Sequence, residues 1–176
     1  MAASLAELRA LRLELESNIE ARQRELGPEH PDLADDLREL GRLAHELNDH
    51  MDALALLRRA CALHTAAHGP EDPNVATDLN HLGLVFHDLG ELGEAQLVLE
   101  RALAIDEKAL GPEHRNVARD ANNLAGVLRD QGDVYSARAA LQWSLRVYNA
   151  VLGPEHSTTR STREGSAAAS AITGRK

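Results

Sequence analysis

Five letters, Leu-Gly-Pro-Glu-His, stand at residues 26–30, 110–114 and 152–156, and a near copy, His-Gly-Pro-Glu-Asp, stands at 68–72. The glycines of these four marks, Gly27, Gly69, Gly111 and Gly153, are spaced 42 residues apart each time. A fixed period of this length demands a stack of equivalent units, each burying its apolar side against the next. The mark itself reads as a joint between helices. Glycine just past a helix end takes the left-handed backbone that closes the helix, and a following proline cannot continue it. Pro31 and Pro73 then fall in the first turn of the next helix, where a missing N–H is tolerated, and Asp72 is placed to cap it.

Aligned on the joints, the repeats run 27–68, 69–110 and 111–152, each with two helical segments parted by a polar break at 47–50, 89–92 and 131–134. Columns then emerge. Leu40, Leu82 and Leu124 coincide, followed by the small residues Gly41, Gly83 and Ala125. In the second segment Ala53, Ala95 and Ala137 coincide, then Leu57, Leu99 and Leu141, then Ala60, Ala102 and Ser144. Small and large apolar residues at helical spacing are what two closely packed helices require. No strand pattern competes. Asp78 falls outside these apolar columns and reads as a surface residue, so that Leu82→Asp is expected to be far more damaging than Asp78→Ala.

The order Leu-Gly/Ala, then a break glycine (Gly90, Gly132), then Ala, Leu and Ala/Ser resembles the tetratricopeptide repeat. The 42-residue period and the phrases VARDANNLAGVLRDQGD and AQLVLERALAIDEKALGPEH are similar to its kinesin-light-chain-like variety. The resemblance covers about residues 27–156 and implies an all-α fold, a right-handed solenoid of helix–turn–helix repeats with terminal capping helices. Two departures stand out. The first-helix column that usually holds an aromatic has Ala44, Phe86 and Leu128, and Asn48 replaces the break glycine in the first repeat. Residues 1–26 keep only the second-helix half of the pattern and read as an N-terminal capping helix. Residues 157–176 lack the leucines of another first helix and read either as an alanine-rich capping helix over about 158–172 or as a mobile tail. Trp143 and Tyr148 replace polar residues of the earlier repeats, which suggests that the tail, or a second copy of the chain, covers that end.

Composition removes several function classes. The formal charge is −9, and only four aromatic residues are present. Nucleic-acid binding needs a basic stripe, and single-strand binding needs aromatic platforms. No apolar run approaches the length of a membrane span, and the N-terminal stretch lacks the apolar core of a signal peptide. A single cysteine, Cys61, excludes an internal disulfide and suits a reducing interior. A cytoplasmic protein is expected.

Nine histidines invite a metal reading. His64 and His68 are four apart on one helix, but His68 falls in a leucine column and should face inward, while His64 shares with Asp106 and Tyr148 a column expected to be exposed. That is a poor ligand pair, and no metal or cofactor is expected. His30, His114 and His156 share a joint column where they would cap a helix or lie on the surface. Cys61 aligns with Ile19, Leu103 and Leu145 and reads as core. No nucleophile–base cluster, phosphate loop or zinc-protease pair is present, so no enzyme is expected.

Surface remains. In the resembled family the first helices line a concave face that holds peptides. The matching columns supply Arg38, Arg42 and His45 from the first repeat, Asn80, His81 and His87 from the second, and Arg119, Asn122, Asn123 and Arg129 from the third. Their amides offer a donor and an acceptor together, as an extended peptide backbone needs. The family's carboxylate clamp would place Lys and Asn at columns held here by Asp35 and Glu39, Thr77 and His81, and Arg119 and Asn123. Only the last pair conforms, and a clamp is not expected. The expected function is a non-catalytic protein- or peptide-binding scaffold. The alternatives are a sensor or regulatory module for a signalling peptide or ATPase partner, and a structural protein that self-associates through its solenoid ends.

Overall fold

A computed structural model describes the backbone of residues 4–173 and the side chains through residue 170. The outermost residues of both terminal segments, 1–3 and 174–176, lie outside the described residues. Among the described residues there are eight α-helices, one 3-10 turn and no strand: α1 Leu5–Leu26, α2 Ala34–Glu46, α3 His50–His68, α4 Pro73–Asp88, α5 Leu92–Leu110, α6 Arg115–Asp130, α7 Val134–Val151 and α8 Ser157–Thr173. They fall into two compact units, one up to Val85 and one from Phe86 onward.

The joints work as the sequence implies, with one difference. Each of Gly27, Gly69 and Gly111 donates its N–H to the carbonyl four residues back at 3.0 Å, closing the helix before it. Their φ values are 93°, 92° and 84°, but ψ is 153°, 165° and 157°, outside the left-handed helical well the sequence suggested. This corner of φ/ψ space is open essentially to glycine alone, because any Cβ would strike the flanking carbonyl. After the glycine, the side chains of His30, His114 and His156 each accept a hydrogen bond from the N–H two residues on, at 3.2 Å. Asp72 does the same for Asn74 at 2.8 Å. In the first repeat Pro31 opens a 3-10 turn, Pro31–Leu33, before α2 begins at Ala34.

In the first unit α1 starts with a reciprocal cap, in which Ser4 and Glu7 bond each other's backbone N–H. Its buried side is anchored by Ile19, packed with Leu33, Leu37, Leu40, Ala60 and Leu63. Arg12 ties α1 to the start of α3 through Asp49 and through Asp52 at 2.7 Å. The small-residue column has a direct physical reason at Gly41. A Cβ there would come within 2.7 Å of Leu57 Cγ, so the glycine sets how closely α2 approaches α3.

In the second unit α8 lies along α7, with Ala169 seated against Ala125, Ala137 and Leu141. Thr159, at the start of α8, donates its hydroxyl to the Tyr148 carbonyl at 3.4 Å. Trp143 is half-buried beside Ala118, Val147 and Tyr148 within this unit. The columns read from sequence are buried throughout: the Leu40, Ala53, Leu57 and Ala60 series all lie in the interior. Cys61 is a correction in degree, since it is only half-buried.

Candidate functional site

The predicted binding residues are placed very differently from one another. In the first unit, α2 presents Arg42 between Glu39 and Glu46, paired with both and in contact with Glu39 at 2.6 Å. His45 is half-buried with its ring 5.6 Å from that of His50. Arg38 turns toward the interior, where it pairs with Asp35 and reaches Asp78 at 3.4 Å. Asn80 is 2% exposed, so its amide belongs to the interior rather than to a peptide-facing surface. His81 is half-buried beside the Glu39 carboxylate.

In the second unit, His87 meets Asp130 at 2.7 Å, and Arg129 holds the other oxygen of Asp130 at 3.0 Å. Asn122 accepts a hydrogen bond from Thr162 of α8 at 3.1 Å, and Asn123 is half-buried. Arg119 does not face outward freely. Its Nε and Nη2 donate to one oxygen of Asp120 at 2.9 and 2.8 Å. Of the ten predicted residues, Arg42 and Arg129 are the guanidinium groups on first helices that pair with surface carboxylates, Arg42 with Glu39 and Glu46 and Arg129 with Asp130.

The structure also brings together residues that sequence reasoning placed at the surface. The column of His64, Asp106 and Tyr148 is not exposed: all three are at most 4% accessible. The reverse holds for His68, which is exposed, its ring stacked 6.3 Å from that of His64. Fourteen residues on from this column stands another with the same 42-residue period, Asp36, Asp78 and Asp120. The two columns meet at successive joints. Arg22 pairs with Asp36. His64 Nδ1 meets Asp78 at 2.6 Å, with both groups buried. Asp106 and Asp120 lie together, each 0% exposed, with Arg119 Nη2 at 3.5 Å from the first and 2.8 Å from the second.

These pairings differ in charge, and the consequences follow. Arg22 with Asp36 is an ion pair at partly exposed positions. At the next joint, burial pushes the Asp78 carboxyl above its ordinary value, against the pull of His64 and Arg38. At the third, burial pushes Asp120 up to about 7, and the neighbouring Asp106 adds to the rise against Arg119. Asp106 is likewise raised by burial, opposed by Arg119. Asn116 also helps to hold Asp106 down, although neither Asp106 oxygen has a donor at full hydrogen-bond geometry. Two buried carboxyls facing each other are accommodated by one proton held between them. A period-42 recurrence of aspartate four residues before the leucine column of Leu40, Leu82 and Leu124 was the signal that could have exposed this seam.

Among the described residues no three of His, Cys, Asp and Glu are arranged to hold a metal ion. Among the same residues no helix is long and apolar enough to cross a membrane.

The comparisons fit this architecture. The tetratricopeptide repeat family matches residues 14–66, 49–108 and 98–150. BtubC (BKLC) from P. vanneervenii is similar in structure, with a TM-score of 0.83 and 20% identity, over 95% of this chain and 66% of that one. A putative kinesin light chain with nearly identical TPR-like repeats from Podosopora anserina follows, at TM-score 0.78 and 23% identity, over 97% and 81%. MamA is a more distant likeness, with a TM-score of 0.55 and 17% identity over the whole of both chains. Identities this low carry the fold and nothing further. No curated protein matches the sequence.

Proposed function

The chain belongs to the tetratricopeptide repeat family, and on that premise we propose that it is a non-catalytic scaffold holding a protein or peptide partner on its first helices. Repeats of this family generally mediate protein–protein interaction. The observation that carries the reading is the unbroken family match over three repeats. Side-chain chemistry supports it within each unit. Arg42 on α2 and Arg129 on α6 are engaged only with surface carboxylates, and surface ion pairs contribute about 0–1 kcal/mol. An acidic group on a partner can therefore replace the internal carboxylate at little cost. Arg38, Asn80 and Arg119, by contrast, act mainly in holding the interior together.

The test begins with a partner captured by affinity purification and identified by mass spectrometry, with binding then measured by calorimetry. Arg42→Glu and Arg129→Glu, each made singly, should weaken binding at least fivefold while the melting temperature stays within a degree or two. Arg101→Glu on the exposed side of α5 supplies the same charge change on a second helix. If Arg101→Glu weakens binding and the other two do not, the first helices are not the interface.

A further inference from the structure

Within the second unit a cleft of about 240 Å³ opens where the starts of α6 and α8 meet the end of α7. Arg115, Asn116 and Arg119 line it from α6, Tyr148 from α7, and His156 and Thr158 from the start of α8. Tyr148 is 4% exposed overall, and the face it leaves open lines the cleft. Its phenol can donate a hydrogen bond to an acceptor that enters there. Burial holds the phenol up at about 12, so it remains a donor across the physiological range. Arg115 is exposed and pairs with no carboxylate among the described residues. The His156 Nδ1 accepts from the Thr158 N–H, so the neutral ring carries its proton on Nε2 and is a second donor. Two helix N-termini, of α6 and α8, direct their partial positive charge at the same space.

We propose that this cleft is a binding site for a single oxyanion of the carboxylate or phosphate class. Every polar group that lines it offers a donor or a positive charge, and its volume admits one such group with the chain that bears it. Arg119 is shared with two fully buried acids, its Nη2 standing 2.8 Å from Asp120 and 3.5 Å from Asp106, and the charge of Asp120 also reaches Tyr148. The site is peculiar to this joint. Where Arg115 stands, the first two repeats carry Pro31 and Pro73; where Arg119 stands, they carry Asp35 and Thr77; where Tyr148 stands, the equivalent residues are Arg22, His64 and Asp106. No other joint assembles two guanidinium groups and a phenol. It overlaps the predicted groove columns at Arg119 alone.

The test uses the whole chain at pH 7, titrated with inorganic phosphate and separately with acetate against chloride at matched ionic strength. Trp143 packs beside Tyr148 and is the sole tryptophan, so its emission reports on the cleft directly. Saturable binding of either anion, with a tenfold loss in Arg115→Gln and at least a threefold loss in Tyr148→Phe, supports the site. Phosphate binding without acetate binding assigns it to phosphate-bearing ligands, and the converse assigns it to carboxylates. Tyr148→Phe removes one oxygen and Arg115→Gln alters an exposed side chain, so circular dichroism should show both variants folded. If neither anion binds beyond chloride, or if binding survives in both variants, the proposal is overturned.

Discussion

Replacing Asp120 by asparagine removes the charge conflict at the third joint while keeping the shape of the side chain. In the folded protein Asp120 titrates at about 7, against an ordinary carboxyl value of 3.8. A raised carboxyl binds its proton more tightly folded than unfolded. Its stabilising contribution is therefore complete below about pH 4 and declines as pH rises through about 7, where the folded chain must ionise it too. The shift is about 3 units at about 1.36 kcal/mol each, so roughly 4 kcal/mol is lost over the full window and about 3 kcal/mol between pH 5 and pH 8. Asp106, shifted in the same direction, titrates as part of the same pair. In Asp120→Asn the amide oxygen can still accept from Arg119, and the amide N–H₂ can donate to Asp106, neither of whose oxygens has a donor at full hydrogen-bond geometry. The variant should have a flatter stability profile and should be more stable than the parent at pH 8 by about 2–3 kcal/mol. Near pH 5 the two should differ by less than about 1 kcal/mol. Urea denaturation followed by circular dichroism at intervals from pH 5 to pH 8 measures this. Exposed carboxyls whose values are lowered, such as Glu7 and Asp133, cancel because parent and variant share them. Parallel profiles, or a variant destabilised equally at every pH, would refute the shared-proton account of the pair.

Three other outcomes are expected. Ser144 occupies the column of Ala60 and Ala102 and buries a hydroxyl with no hydrogen-bond partner, so Ser144→Ala should stabilise by about 1 kcal/mol in the same denaturation assay. Asn48 is the one non-glycine residue with positive φ among those described, at 63°, where Gly90 and Gly132 stand in the later repeats. Asn48→Gly should therefore raise the melting temperature, by up to about 1 kcal/mol of stability, whereas Asn48→Ala should lower it. Asp78→Ala should cost about 3 kcal/mol, because it strands buried His64 without its acceptor and removes a partner of Arg38. Loss of less than about 1 kcal/mol would mean that the His64–Asp78 contact contributes little in solution.

That last case reverses the expectation drawn from sequence, in which Asp78 was a surface residue and only Leu82→Asp was severe. Both residues are in fact buried. The positions of the solvent-facing arginines show the same contrast, since Arg42 stays at the surface while Arg38, four residues earlier on α2, turns inward to Asp78.

From the sequence alone, the spacing of the joints determined the all-α repeat, and the Leu40, Ala53, Leu57 and Ala60 columns determined its core. Apolar burial is non-directional and scales with area, so a volume pattern repeated at a helical period suffices to specify it. Polar burial obeys a different rule. A buried His or Asp is tolerated only when a particular donor or acceptor from another helix lies within bonding distance, and polarity along the chain points such residues toward water. Only the tertiary structure brought His64 of α3 to Asp78 of α4 and Asp106 of α5 to Asp120 of α6, and so decided that a column of ionisable residues belongs inside.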